Sequence, residues 1–94
     1  MTTEDRIRAM RLGTFARLCG LYEISLVTMS VHGEWAVVAA SGKRQAGARR
    51  EHLIDALAVS VVGVLDRIHD AQPDGAAAVE DVVRDLYESE EAKQ

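Results

Sequence analysis

The stretch that most limits what this chain can become runs from about Arg50 to Gln72 and ends at the only proline, Pro73. It is too long for an ordinary strand. Leu53, Ile54, Leu57, Val61, Val64, Leu65 and Ile68 recur along it at helical spacing. Val59 and Val62 fall on the opposite side, so the helix is apolar over most of its circumference. Such a helix is expected to be wrapped by other elements rather than laid on a surface. Within it Ala56, Ser60 and Gly63 form a row of small residues that admits close approach. An interior glycine costs stability unless packing makes use of it. The first helix, or the same helix of a second subunit, is expected to lie against this row.

Before this rod the sequence predicts one helix and one hairpin. Thr2 or Thr3 can cap a helix whose first turn carries Glu4 and Asp5. Ile7, Met10, Thr14, Leu18 and Leu21 trace its apolar face, widened by Phe15 and Tyr22. Gly13 marks a kink or break, and Gly20 a stop in the left-handed conformation. From Tyr22 the period changes to two: Val27, Met29 and Val31, then His32-Gly33, then Trp35, Val37 and Ala39. A two-residue His-Gly loop would pair Val31 with Glu34 and split these residues between faces. A three-residue loop pairs Ser30 with Glu34 and gathers Val27, Met29, Trp35, Val37 and Ala39 on one core-facing side, with Gly33 at positive φ. The three-residue register is the expectation. The other face then holds Ile24, Leu26, Val38 and Ala40, and that leftover apolar surface calls for a further partner.

Residues 41–50, SGKRQAGARR, read as a basic loop with room for a short third strand near Arg44–Ala46. Gln72-Pro73-Asp74-Gly75 reads as a turn. A last helix is expected from Ala76 to Glu88, burying Val79, Val82, Val83, Leu86 and Tyr87, with residues 1–2 and 89–94 frayed. The expectation is a single domain over 1–94. Its fold class is α+β, a small two-layer domain of order α-β-β-α-α, with an antiparallel hairpin packed on a central buried helix and flanking helices. Two strands alone do not make a stable sheet, so two subunits pairing edge to edge are one way to complete it.

Composition narrows the function classes. The single cysteine, Cys19, makes no internal disulfide, which points to a reducing, cytoplasmic setting. The N-terminal ten residues lack the apolar run of a signal peptide, and no apolar run reaches a membrane span. The net charge of −4 argues against bulk nucleic-acid binding. It is unevenly placed, +2 over residues 1–65 and −6 over 66–94.

No catalytic or nucleotide-binding motif stands out. Gly42 and Gly47 have the spacing of a phosphate loop without its Lys-Ser/Thr. Asp66, His69 and Asp70 share one helix side, a spacing that suits a metal, but no further ligand is at hand, and neither metal nor cofactor is expected. Cys19 lacks an activating neighbour. His52 beside Glu51 and Asp55 reads as ordinary first-turn polarity.

Three surfaces remain. Asp66, Asp70, Asp74, Glu80, Asp81, Asp85 and Glu88 form an acidic face able to imitate a row of phosphates. Lys43, Arg44, Arg49 and Arg50 form a basic loop at the start of the central helix, suited to an anion or an acidic protein. Ile24, Leu26, His32 and Val38 form a hairpin surface. The expectation is a non-enzymatic interaction protein that binds and inhibits a protein partner, such as a host nucleic-acid-processing complex. In size and charge the chain looks like the small inhibitors encoded by phages and mobile elements, anti-CRISPR proteins among them. A nucleic-acid-binding module using residues 43–50 is the alternative, and a homodimer is compatible with either.

Overall fold

The computed structural model describes residues 1–71 and 76–92. Along them run α1 (Thr3–Ala9), α2 (Leu12–Leu21), β1 (Ser25–Val31), β2 (Glu34–Ser41), β3 (Arg44–Arg50), α3 (Leu53–Ala71) and α4 (Ala76–Ala92). The fold is α+β, with element order α-α-β-β-β-α-α. The strands form one antiparallel meander, β1-β2-β3. The turn expected at 72–75, with Asp74, lies outside the described residues.

α3 is the wrapped rod that its pattern predicts. Ala56, Ala58, Ser60, Val61, Val64 and Leu65 are buried, while Ile54 alone among its large apolar side chains stays half exposed. The sheet covers one side of α3, chiefly β2 and β3, and α1 and α4 pack on others. At Gly63 the small-residue row meets the sheet rather than a helix. A Cβ on Gly63 would lie 2.7 Å from the Cβ of Ala46, so it is β3 that comes close.

The first helix is two. Its break falls at Met10 and Arg11, both extended, rather than at Gly13, which lies in the first turn of α2. The break lets Ile7 and Met10 of one segment and Leu18 and Cys19 of the next reach the same core. α1 opens on a capping box: the Thr2 hydroxyl accepts from Asp5 N–H at 3.1 Å, and the Asp5 carboxylate accepts from Thr2 N–H at 3.3 Å. Arg8 then ties α1 to α3, donating to Asp55 at 2.7 Å and to Glu4 at 2.8 Å.

The Thr2 hydrogen bonds, the hydroxyl's foremost, hold the Asp5 carboxyl below its ordinary value. A lowered pKa stabilises the fold above the unfolded carboxyl's pKa, and that contribution is lost as pH falls through the folded one. Wild type should therefore out-melt Asp5→Asn near neutral pH, and the gap should close as the pH drops below the carboxylate range. Thermal melts of the two across pH check this, and a gap that widens in acid would count against the capping box.

α2 does not stop at Gly20. It runs to Leu21, and Glu23 takes the left-handed conformation (φ 54°). Ile24 N–H donates to the Cys19 carbonyl at 2.8 Å and Glu23 N–H to the Gly20 carbonyl at 3.3 Å. This is a Schellman ending with glutamate where glycine is usual, sealed by buried Ile24 and Cys19.

The hairpin adopts the two-residue register, not the three-residue one. Val31 pairs with Glu34, Ser30 with Trp35 and Thr28 with Val37. His32 (φ 49°) and Gly33 (φ 80°) both sit at positive φ, as in a type I′ turn, whose twist matches that of the strands. Leu26, Trp35, Val37, Ala39, Ala46 and Ala48 therefore share the face toward α3. Val27, Met29 and Val38 share the other. Glu23 and His32 both pay for left-handed backbone, so Glu23→Gly and His32→Asn should each raise stability by about 0.5–1 kcal/mol. Urea midpoints would show it, and a loss at either site would contradict the backbone assigned there.

Residues 44–50 are a full strand. Ala39 pairs with Ala46 and Val37 with Ala48, so the alternation of small apolar residues in QAGA matches the inner face of β2. The charges around them had pointed to a loop. α4 continues to Ala92, past the expected end at Glu88. The Glu90 carboxylate accepts from Arg11 N–H at 2.7 Å. Its negative charge sits at the start of α2, where the helix dipole favours it and no side chain of α2 itself caps.

Candidate interaction surface

The meander has one face on α3, and no element among the described residues packs on the other. Along the uncovered face three rows run across the strands: Val27–Val38–Gly47, Met29–Ala36–Arg49 and Ser25–Ala40–Gln45, with Val31–Glu34 at the hairpin end. Val27 is 62% exposed, Met29 58% and Val38 42%. Exposed apolar side chains scattered singly need no explanation, but a contiguous group on one flat face marks a contact surface. Glu34 and Arg49, the ionisable side chains on this face, are joined at 2.7 Å, so the face is electrically neutral. β1 is an open edge strand, and SLVTMSV carries no ionisable side chain. β3, the other edge, carries Arg44, Arg49 and Arg50, the kind of charge that protects an edge from pairing.

The expected hairpin surface divides. Ile24 is buried and Leu26 half-buried on the α3 side. Val38 is on the open face and His32 is exposed in the turn. Val27 and Met29, assigned to the core in the sequence, are the most exposed of the sheet's large apolar residues. The signal that finds them is the His-Gly pair read as a complete two-residue loop.

The basic residues also divide. Lys43 and Arg44 sit at the β2–β3 end of the strand, while Arg49 and Arg50 sit at its far end, roughly 17 Å away at the usual rise per residue. Arg49 is already paired with Glu34, so the four do not make one anion site.

The acidic residues hold together better. Glu80, Asp81, Asp85 and Glu88 are all exposed along α4, and Asp66 and Asp70 are exposed on α3. Arg84 answers Asp81 at 2.6 Å. α4 packs chiefly on α1, α2 and α3, so its outer side and the open sheet face look in different directions.

The candidates for chemistry do not converge. Among the described residues no three His, Cys, Asp or Glu side chains come together as a metal site. His69 is half-buried, whereas Asp66 and Asp70 face solvent. The His52 carbonyl accepts the N–H groups of Asp55 and Ala56 and so starts α3, while the Asp55 carboxylate goes to Arg8. Burial pushes the Cys19 thiol up, away from the reactive thiolate.

Two hollows accompany these features. A cleft of about 370 Å³ between α2 and α4 is lined by Arg11, Thr14, Arg17, Ser89 and Glu90 among others, and its carboxylate is the one that caps α2. An apolar groove of about 130 Å³ lies between α1, α2 and α3, with Leu12 and Ile54 on its rim. Neither lining includes a histidine or a cysteine to serve as base or nucleophile. No helix among the described residues is long and apolar enough to cross a membrane. The chain matches no known protein family, no characterised protein and no solved structure.

Proposed function

We propose that this chain is a non-enzymatic interaction domain that docks another protein surface on the open face of its sheet. One observation carries the reading: Val27, Met29 and Val38 stand in water together on a neutral face, although another hairpin register would have turned two of them inward. Places where the most burying choice is not the one adopted are where function is expected. A partner that covers the face with apolar side chains recovers on the order of 25 cal/mol for each Å² it removes from water.

A second reading is favoured by α4. Its carboxylates at 80, 81, 85 and 88 are exposed with Arg84 as their near cation. That face fits a basic groove of a nucleic-acid-processing complex, which is the inhibitor reading. A photo-crosslinking residue at Val38 or at Asp85, introduced in the native cell, separates the two. Crosslinked protein at Val38 supports the sheet face, and at Asp85 alone the acidic face. Silence at both positions would remove both readings.

A further inference from the structure

β1 is a sheet edge with none of the devices that keep an edge from pairing. It runs seven residues, SLVTMSV, without a charge or a proline, and its register with β2 is unbroken from Ser25 to Val31. Because Val31 and Glu34 close a two-residue turn, Ser25, Val27, Met29 and Val31 direct their N–H and C=O groups to β2. Leu26, Thr28 and Ser30 aim theirs outward, and among the described residues no backbone partner reaches them. α3 roofs β2 and β3 rather than this edge. Thr28 and Ser30 on the helix side of β1 are exposed, as are Val27 and Met29 on the other side. A row of alternating donors and acceptors, open above and below, fits an extended strand.

The sequence of β1 decides which strand. Two antiparallel copies of it, related by a two-fold axis through Thr28, set Thr28 beside Thr28, Leu26 beside Ser30 and Val27 beside Met29. All three outward residues then meet outward residues, so each free N–H finds a C=O. An axis through Val27 instead leaves Ser30 opposite Ile24, and one through Met29 leaves Leu26 opposite His32, both beyond the strand. About Thr28, by contrast, apolar side chains meet apolar ones on the open face, and β1 has no ionisable group to meet its like at the axis. β3, the other edge, is barred from this role by Arg44, Arg49 and Arg50.

We infer that two copies of this chain pair β1 with β1, antiparallel about Thr28, and so join their three-stranded sheets into one. The axis stands perpendicular to the sheet. Both open faces therefore look the same way and merge into one larger apolar surface. Few side chains are covered, so backbone hydrogen bonds hold the contact, and it belongs at the weak end of specific interfaces.

Sedimentation and amide hydrogen exchange on the full chain test this, with circular dichroism confirming that each variant is folded. Wild type should dimerise with a dissociation constant of tens to hundreds of micromolar, and the amides of Leu26, Thr28 and Ser30 should exchange several-fold more slowly as concentration rises. Thr28→Lys sets two ammonium groups side by side at the axis and should weaken the dimer by about tenfold or more. Thr28→Val, which keeps the shape and the strand preference, should stay within about threefold of wild type, and so should Val38→Lys, off the edge. A wild type that is monomeric at millimolar concentration overturns the inference, as does a dimer that protects other amides instead. Loss of the dimer in Val38→Lys with retention in Thr28→Lys overturns it in favour of contact between open faces. Crosslinking of Val38 to a different protein in the cell depends on none of these results, so the docking surface stands or falls separately.

Discussion

Leu65→Ala is expected to lower stability by about 3 kcal/mol, inside the ~2–5 kcal/mol range of buried leucine truncations. Leu65 is 1% exposed and belongs to one cluster with Ile7 of α1, Leu18 of α2, Ala39 of β2 and Val83 of α4. The cluster joins several elements of different kinds, so a cavity opened within it is not closed by the shift of a single element. A chain of this length typically holds about 5–14 kcal/mol, so the loss is a large share of the total. It corresponds to a melting temperature lower by roughly 12–24 °C at ~4–8 °C per kcal/mol. Ile54→Ala on the same helix removes a half-exposed side chain and should cost under about 1 kcal/mol. Thermal unfolding of the two variants makes the comparison. Equal losses at the two positions would mean that α3 is not enclosed on the side assigned here.

Gly63→Ala should destabilise, although alanine is the better helix former. A Cβ at position 63 would sit 2.7 Å from the Cβ of Ala46, and both atoms are fixed to backbone, so α3 and β3 must separate. Overpacking of this kind costs about 1–3 kcal/mol, set against the ~1 kcal/mol that alanine gains over glycine within a helix. At Gly20 of α2 nothing lies within 4 Å of the added carbon, and there the same change should stabilise by up to about 1 kcal/mol. Urea denaturation should thus show shifts of opposite sign. Adding Ala46→Gly to Gly63→Ala should recover part of the loss, a coupling of about 1 kcal/mol between touching positions. Absence of that coupling would place some other element against Gly63.

These two residues also show what could be read in advance. Leu65 lies on a stripe whose period needs no tertiary knowledge, and α3 is enclosed as that stripe demands. Gly63 was recognisable as a point of close approach, but a lone glycine carries no mark of what approaches it. β3 was hard to see because Arg44, Arg49 and Arg50 sit at its ends, and charge at both ends of a short segment resembles a loop. The break at Met10–Arg11 had no local sign either. It exists because α1 and α2 each bury their own pair of residues and because Glu90, far along the chain, meets the Arg11 N–H.

The candidate site was legible only in part. That one hairpin face keeps apolar residues without a cover followed from alternation alone. Which face it is depended on a one-residue choice at His32-Gly33, and such a choice moves every side chain of the strand to the opposite side. Local counting favoured the register that gathers the larger side chains. The twist of a three-stranded meander and the fit of Ala46 and Ala48 beneath α3 favour the other, and these are properties of three segments at once.

Periodicity and composition by themselves determined the α+β class, the enclosed helix, the hairpin and the outward acidic stripe of α4, because each depends on neighbours only a few residues apart. The strand register, the third strand, the divided first helix and the exposure of Val27 and Met29 were decided by the tertiary structure. Each is a contest between alternatives that differ little in local energy, and contacts between segments distant in the chain settle it.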